Sequence, residues 1–404
     1  MSSSSALTHR VAQPPYGIAI AACSGHHWWE ESPELQSVVV RSLTKTWGET
    51  TAVDGVSFAV SPGQLVVLLG PSGCGKSTTL RLIAGLDDPT AGTIEIAGKD
   101  VRGLIGAARG VAMVFQSYAL LPHLSAADNI TFGLSVRGTP RAEIARRLDR
   151  VAALLDLKAL LGRRPGQLSG GQQQRVALGR ALIAETPVCL LDEPLSNLDA
   201  QLRQELRREI RALQQRLRIT MIYVTHDQTE AMSMADHVIL MRDGRIEQNG
   251  TPAELYQRPE SLFVARFVGG APMNLLTLDD GPGGAVLAGS DEPLFLSIHG
   301  RGRVLGLRPE DITLAGDQPG YLHARVTAVE YLGADALVTC TVGDRPIVVR
   351  SNGAFAPPLG TTVSLRWDAR AAHVFEVADG RRVATGDAVL PSVPMEKQSG
   401  RVWA

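Results

Sequence analysis

The spacing of hydrophobic and polar positions changes along this chain and divides it into four parts. Residues 1–36 are Ser-rich, then contain Pro and His, and show no periodicity. Across 37–272, continuous apolar runs alternate with stretches whose apolar residues recur every three or four positions. Across 273–378, short β-rich runs are separated by Gly, Asp and Pro, and a polar stretch follows at 379–404. The pattern predicts a disordered leader, an α/β domain, a small all-β domain and a polar tail.

Several apolar runs in the α/β part are continuous rather than alternating. This is typical of strands buried on both faces of a parallel sheet. The runs are 65–69, 111–115, 188–191 and 221–224. Two shorter strands are expected at 38–40 and 56–60, with turns between them.

Helical spacing fills the intervals between these strands. The predicted helices are 76–84, 140–161, 171–184, 199–218 and 252–267. The helix at 199–218 places five apolar residues on one face and charged residues elsewhere, which indicates one buried stripe.

Composition narrows the function classes. The 404 residues suffice for two or three domains, and the formal net charge of −1 gives no overall basic footprint for nucleic acid. No apolar run reaches the roughly 18 residues that a membrane helix needs. The 4 cysteines are far apart and form no CxxC pair, which argues against a zinc site and a disulfide framework. For the leader, a wrongly assigned start codon is the alternative explanation.

A glycine-rich segment follows the apolar run 65–69 and precedes a predicted helix. Its pattern is GxxxxGK[ST], a phosphate-binding loop whose backbone N–H groups cradle phosphate oxygens. Lys76 should reach the β- and γ-phosphates of ATP, and Ser77 should ligate Mg²⁺. The predicted ATP-binding residues of this segment are Gly70, Pro71, Ser72, Gly73, Cys74, Gly75, Lys76, Ser77 and Thr78.

Two adjacent carboxylates end the apolar run at 188–191. Asp192 suits the role of holding Mg²⁺, and Glu193 suits a general base that polarises the attacking water. Acidic residues at the end of a strand are common in any sheet, so this motif alone is a weak signal. It becomes specific because the same chain carries a phosphate-binding loop.

The segment Leu-Ser-Gly-Gly-Gln begins the predicted helix at 171–184. Ser169 and Gln172 match an S-x-x-Q capping box, so plain helix capping is one interpretation. Gly170 and Gly171 leave the N–H groups of this helix end bare, which favours a second anion-binding surface. With one nucleotide site already present, this second surface suggests that two copies of the chain share each ATP.

These motifs resemble those of the ATP-binding cassette (ABC) family, whose signature is Leu-Ser-Gly-Gly-Gln. The resemblance covers about residues 37–272. It implies an α/β P-loop NTPase cassette with a helical subdomain at about 117–184. Gln116 matches the family's loop glutamine, which senses Mg²⁺ and the membrane partner.

Three more positions follow the family pattern in order. Asp199, in Ser-Asn-Leu-Asp, matches the loop that crosses the dimer interface. His226 matches the switch histidine that contacts the γ-phosphate. Trp47 stands where the family places an aromatic residue, more often Tyr, that stacks on adenine.

The β-rich part resembles the oligomer-binding-fold regulatory (TOBE) domain of solute importers. The segments 306–311 and 329–333 carry this resemblance. The junction at 267–274 is similar to that of the sugar and glycerol-3-phosphate importer branch, although its order departs from the usual Ser-Pro-Ala-Met-Asn. Arg308 and Glu310 are interpreted as a structural salt pair.

The resemblance implies an ATP-hydrolysing importer subunit at the cytoplasmic face of the membrane. It would act as a dimer of identical or closely paralogous copies, beneath two permeases and, indirectly, an extracytoplasmic solute-binding protein. Residues 118–124, here called the docking loop, resemble the surface that receives a permease; a plain apolar loop is the competing interpretation. The expected solute is a carbohydrate or glycerol-3-phosphate.

Other functions stay open. The solute could instead be a polyamine, iron or sulfate. Soluble cassette ATPases that act on DNA or ribosomes carry long coiled coils or tandem cassettes, which this chain lacks. A regulatory subunit that only holds ATP is opposed by the intact Glu193 and His226.

Overall fold

The structure is a computed structural model that describes residues 37–281, 284–288, 293–296, 298–314 and 322–383. The leader at 1–36 and most of the tail lie outside the described residues. Within the described part, no helix is both long and apolar enough to cross a bilayer.

The elements follow the alternation that the sequence predicts. The helices are α1 Lys76–Ala84, α2 Ala126–Val136, α3 Arg141–Leu154, α4 Gly170–Leu182, α5 Ala200–Leu217, α6 Gln228–Met234, α7 Pro252–Gln257 and α8 Leu262–Phe267. The strands of the α/β part are β1 Val38–Trp47, β2 Thr50–Val60, β3 Leu65–Leu69, β4 Ala91–Ile96, β5 Lys99–Asp100, β6 Val111–Val114, β7 Val188–Asp192, β8 Thr220–Thr225, β9 His237–Arg242 and β10 Arg245–Gly250. The strands of the β-rich part are β11 Asn274–Gly281, β12 Gly284–Leu287, β13 Pro293–Leu296, β14 Arg303–Leu307, β15 Ile312–Leu314, β16 Leu322–Tyr331, β17 Asp335–Val342, β18 Arg345–Asn352, β19 Thr362–Trp367 and β20 His373–Glu376.

A six-stranded sheet in the order β10-β9-β3-β8-β7-β6 forms the centre of the α/β part. All its neighbours are parallel except the edge strand β10. Alternate residues of β3 enter opposite cores: Leu65, Val67 and Leu69 face one, and Val66 and Leu68 face the other. The continuous apolar run therefore marks a strand buried on both faces, which confirms the sequence prediction.

A second, antiparallel sheet in the order β2-β1-β4-β5 covers one side of this core. Strands β1 and β2 extend well beyond the predicted 38–40 and 56–60. A register shift near Ser42, whose φ is 46°, lets the strand continue through exposed polar residues. The hydrophobic pattern missed this extension because the outer half of the hairpin is only partly buried.

Two predicted helices end earlier than their apolar spacing indicates. The helix expected at 140–161 stops at Leu154, and Asp156 then adopts a left-handed φ of 54°. The single helix expected at 252–267 is two helices, α7 and α8. Pro259 follows the end of α7 and disfavours helical backbone at the residue before it. The Ser261 side chain then caps α8.

The C-terminal part is all β, as predicted. Sheets β13-β12-β11-β14-β20 and β15-β19-β16-β17-β18 are both antiparallel, and their buried residues share one core. The α/β cassette with a helical layer, followed by an all-β domain, confirms the predicted fold class.

Arg308 joins the two parts. Its guanidinium donates to the carbonyl oxygens of Tyr256, at 2.6 and 3.2 Å, and Val268, at 2.8 Å, and lies 3.6 Å from the Tyr256 ring centroid. No ion pair joins it to Glu310 within the described residues, so the predicted salt pair is wrong. Carbonyl oxygens in the last turn of α7 and just after α8 take the place of the carboxylate, and the spacing of charges could not reveal them.

The first residues of the expected polar tail also pack against the α/β part. The Arg382 N–H donates to the Glu260 carbonyl at 2.9 Å, and the Leu262 N–H donates to the Gly380 carbonyl at 2.8 Å. Residues 379–383 therefore belong to the folded part. Their backbone groups are the hydrogen-bond partners of backbone groups at the start of α8 and just before it, which would otherwise lack partners.

His373, on β20, makes this part sensitive to acid. Burial, followed by the charges of Arg382 and Arg308, lowers the pKa of His373 from 6.5 to about 4. Below pH 6.5, His373 therefore binds a proton in the unfolded chain but stays neutral in the folded chain. The free energy of unfolding falls as the pH drops through this range. We expect His373 to lower the free energy of unfolding by about 2 kcal/mol between pH 7 and pH 5.

Denaturant unfolding at both pH values would measure this loss. His373→Gln, which cannot titrate, should lose about 2 kcal/mol less than the wild type over that interval. An equal loss in both proteins would contradict the assignment.

Candidate functional site

The phosphate loop connects β3 to α1 with glycines in conformations that other residues rarely adopt. Gly70 and Gly75 have φ of 151° and 100°. A Cβ on Gly70 would lie 2.3 Å from the Met241 carbonyl oxygen, and one on Gly75 would lie 2.3 Å from that of Ala52. Backbone packed this closely leaves no room for a side chain, so the loop keeps its inward curvature.

Lys76 begins α1 with its charge turned back into the loop. The residue is 4% exposed, and its Nζ donates to the carbonyl oxygens of Gly70 and Pro71, each at 2.8 Å. The N-cap of α1, Gly75, supplies no side-chain hydrogen bond, and the first turn carries no acidic residue. An uncapped helix N-terminus beside a buried ammonium fits the phosphates of a nucleotide.

Ser77 and Asp192 meet across the sheet edge. The Ser77 hydroxyl donates to Oδ1 of Asp192 at 2.8 Å. Burial raises the pKa of Asp192, while the Ser77 hydrogen bond opposes this. A hydroxyl and a carboxylate are oxygen donors that suit Mg²⁺, which takes its other ligands from water and phosphate. The described residues contain no group of three or more His, Cys, Asp or Glu that could hold a metal alone.

Glu193 and His226 directly follow two neighbouring parallel strands, β7 and β8. His226 Nδ1 lies 3.2 Å from Oε2 of Glu193. Glu193 has a left-handed φ of 43°, held by its N–H, which donates to the Val224 carbonyl at 3.0 Å. A non-glycine residue in this conformation carries strain that the surroundings must support. The arrangement fixes a carboxylate beside a half-exposed imidazole.

Gln116 reaches the same edge from the end of β6. Its Nε2 donates to the Ser196 hydroxyl at 3.3 Å, and that hydroxyl donates to the Glu193 carbonyl at 2.9 Å. Asn197 Nδ2 donates to the Gln116 carbonyl at 3.2 Å. The loop 196–199, here called the interface loop, is therefore connected to both Gln116 and Glu193.

Trp47 lies at the far end of the β1–β2 hairpin. Its side chain is 49% exposed, opposite Thr50, and Lys45 Nζ sits 5.2 Å from the ring centroid. The same hairpin reaches the phosphate loop, because Ala52 abuts Gly75. An exposed ring at this end of the hairpin is free to stack on a base.

The signature group, Ser169, Gly170, Gly171, Gln172 and Asp199, lies at the starts of α4 and α5. Ser169 and Gln172 make the capping box at the start of α4, with N–H donors at 3.0 and 3.4 Å from the side-chain oxygens. Asp199 caps α5 by accepting from the Leu202 N–H at 2.9 Å. Added Cβ atoms on Gly170 and Gly171 would lie 2.9 Å from Leu198 and 3.1 Å from Leu202, so the two helix starts pack together. Asp199 also belongs to the interface loop, which contacts Gln116 and Glu193.

Sequence reasoning missed Arg180, on α4. Its guanidinium donates to the carbonyl oxygens of Tyr118 and Ala119, each at 2.6 Å. Both residues have left-handed φ, 62° and 46°, so Arg180 holds a strained turn in the docking loop. Tyr118 is itself only 6% exposed, which corrects the predicted surface to 119–124. No sequence signal indicates such a clamp, because its acceptors are backbone atoms.

Comparison with known proteins gives consistent findings. Residues 53–196 match the family described as ABC transporter, and residues 305–375 match the TOBE domain. The chain is 48% identical over 343 residues to the sn-glycerol-3-phosphate import ATP-binding protein UgpC of Chromohalobacter salexigens, covering 83% of this chain and 93% of the relative. It is 46% identical over 355 residues to the protein of the same name from Rhizobium meliloti, covering 86% and 100%.

Among solved structures, one similar chain is an ATP-binding cassette determined as a dimer in a post-hydrolysis state with ADP and Pi. It is 31% identical, with a TM-score of 0.48, and the match covers 53% of this chain and 98% of that one.

Proposed function

This chain belongs to the family of ATP-binding subunits of ABC importers and hydrolyses ATP, and we propose which residues carry out the hydrolysis and which solute the importer takes up. The contact between Ser77 and Asp192, beside the pair Glu193 and His226, carries the proposal. Four side chains, from α1, the end of β7 and the end of β8, meet at one edge of the sheet, where they can act on one phosphate group.

In this proposal the phosphate loop binds ATP. Lys76 and the N–H groups of α1 hold the β- and γ-phosphates, and Trp47 stacks on adenine. Ser77, Asp192 and Gln116 would hold Mg²⁺, which when bound neutralises phosphate charge.

Hydrolysis then uses the chain's own base. Glu193 takes a proton from water as the water oxygen attacks the γ-phosphorus, and the bond to ADP breaks to release phosphate. His226, held 3.2 Å from Glu193, orients the attacked phosphate. The strained backbone at Glu193 supports this assignment, because such strain concentrates where a side chain must be aimed.

Two copies are proposed to close head to tail around two ATP molecules. The signature group presents the N-terminus of α4, flanked by Asp199, to the nucleotide of the partner subunit. The exposure of Ser169 and Gly170 supports the arrangement, because the N-terminus of α4 is then open to a nucleotide held by the partner subunit.

The subunit is proposed to sit at the cytoplasmic face of the membrane, peripheral to two permeases, with a solute-binding protein acting on the far side. The proposed docking surface is 119–124, in which Ala119, Pro122 and His123 are exposed and the three leucines are half-buried. Asn129, which is fully buried, pins this loop: its side chain accepts from the Leu121 N–H at 2.7 Å and donates to the Leu121 and Leu124 carbonyls. A loop fixed this firmly next to Gln116 can pass the state of the nucleotide site to a permease.

The proposed solute is glycerol-3-phosphate or a carbohydrate. The names of the relatives and the C-terminal all-β domain support this choice. In a strain that lacks this gene, uptake of labelled glycerol-3-phosphate or of a disaccharide should fall and return with the wild-type gene. Undiminished uptake of both would remove the proposed solutes and favour another importer substrate, while ATP hydrolysis would be unaffected.

Leu121→Asp tests the docking surface in the same strain. An unpaired carboxylate in an apolar contact should cost several kcal/mol of docking, so the variant should lose co-purification with the permeases and fail to restore uptake. Its ATP binding should survive, because the phosphate loop is untouched. Leu359→Asp, at a 67% exposed position of the C-terminal domain, is the control for an added charge. Permease binding by Leu121→Asp at the wild-type level would remove the docking surface from the proposal.

A further inference from the structure

Arg203, on the first turn of α5, touches two loops of the candidate site. Its Nη2 donates to the Leu198 carbonyl, in the interface loop, at 3.0 Å. Its Nη1 lies 3.5 Å from Oδ2 of Asp227, the residue after His226. Both charged side chains are about two-thirds buried or more, with exposures of 32% and 26%. The guanidinium therefore bridges the interface loop and the loop of the switch histidine.

Asp227 is suited to receive this bridge because its two oxygens have separate partners. Oδ1 accepts from the N–H groups of Thr229, at 2.7 Å, and Glu230, at 3.3 Å, and so caps α6. Oδ2 is left to face Arg203. The Asp227 N–H donates to the Thr225 hydroxyl at 3.0 Å. The backbone just after His226 is thus fixed by the start of α6 and by Arg203.

The surroundings of Arg203 favour a cation at this place. Glu230 is 3% exposed, and its Oε2 accepts from the Tyr223 hydroxyl at 2.8 Å. Burial raises the pKa of Glu230, and the charge of Arg203 acts in the opposite direction. Arg203 therefore pairs with Asp227, and its charge favours the ionised form of Glu230, so its removal takes this cation from both.

We propose that Arg203 is a positioning residue, which sets His226 relative to the interface loop. The inference rests on the proposed roles of Glu193 and His226. A second copy that meets Asp199 would displace the interface loop, and Arg203 would carry this displacement to Asp227 and hence to His226. Closure of the dimer would then set where His226 lies relative to the γ-phosphate.

Two substitutions remove the bridge from its two ends. Arg203→Gln deletes the charge, while Asp227→Asn keeps an oxygen for the α6 cap and loses the ion pair. Each should lower kcat for ATP by about tenfold to a hundredfold, the range for misplacing a catalytic group, and leave KM for ATP within about threefold. The double variant should be no slower than the slower single variant, because both changes break one connection. Arg203→Lys, which keeps the charge, should recover part of the lost kcat.

Arg211→Gln is the matched control on the same helix. Arg211 makes a closer ion pair than Arg203, with Asp236 at 2.5 Å, away from the interface loop. Its loss should lower the melting temperature by at least as much as Arg203→Gln but leave kcat unchanged. Such a split separates positioning from a general loss of stability.

The outcomes are distinguishable from a failure of the proposed function. Loss of activity in Glu193→Gln and His226→Ala, with kcat within twofold of wild type in Arg203→Gln, would overturn the role of Arg203 alone. A slow Arg203→Gln with a fully active Asp227→Asn would also overturn it, because the bridge would then not act through Asp227. Wild-type activity in all four variants would overturn the catalytic assignments themselves.

Discussion

Glu193→Gln is expected to bind ATP as the wild type does and to turn it over at least about a hundredfold more slowly. The amide keeps the size of the side chain and can still face His226 Nδ1, which lies 3.2 Å from the carboxylate. The backbone hydrogen bond from the Glu193 N–H to Val224 is unchanged by the substitution. The substitution removes the ability to accept a proton from water. ATP binding should therefore be kept while ATP hydrolysis slows.

Steady-state release of phosphate and a nucleotide titration would measure both quantities. Lys76→Ala provides the contrast, because it removes the buried ammonium from the phosphate loop and should weaken nucleotide binding itself. Hydrolysis by Glu193→Gln at the wild-type rate would show that the base is a different group. Equal ATP affinity in Lys76→Ala would remove Lys76 from phosphate binding.

The fold was largely predictable because its signals are local. A continuous apolar run such as 65–69 indicates a strand buried on both faces. The glycine-rich segment after it has the pattern of a phosphate-binding loop, which few other structures share. The capping box at Ser169 is likewise contained within four residues. Such features depend on neighbours in sequence, which a single chain displays directly.

The failures have a common physical origin in contacts between distant backbone and side-chain atoms. Arg180 meets Tyr118 across 62 positions, and Arg308 meets Val268 across 40. In both cases the acceptor is a carbonyl oxygen, which every residue has, so no residue type marks the partner. The salt pair expected between Arg308 and Glu310 shows the consequence: opposite charges two residues apart suggested a partner that the fold does not use.

The candidate site falls between these cases. Asp192 and Glu193 could be placed at the end of a strand from the sequence, but their neighbours could not. That Ser77 would meet Asp192, and His226 would meet Glu193, follows from the strand order β3-β8-β7, which brings three carboxyl ends to one edge. Strand order is a property of the whole sheet, and the apolar runs alone do not contain it.

Placing an arginine at the start of α4 should abolish ATP-driven assembly of the two copies. In the Glu193→Gln background, ATP should convert a monomer into a dimer on a sizing column, because bound nucleotide is not consumed. Adding Ser169→Arg puts a bulky cation at a helix end whose own dipole is positive and which is proposed to face the partner's phosphate. The dimer should then disappear at ATP concentrations that saturate the phosphate loop.

Loss of the helix cap must be separated from the effect of the charge. Ser169 accepts from the Gln172 N–H, and losing such a cap costs about 1 kcal/mol. Ser169→Ala removes the cap without adding a cation and should weaken the dimer only modestly. Ser125→Arg makes the same change at the capping box of α2 and should leave the ATP-driven dimer intact. A dimer that persists unchanged in Ser169→Arg would count decisively against sharing of ATP across the interface, because a bulky cation could not be accommodated between a helix N-terminus and a partner's nucleotide.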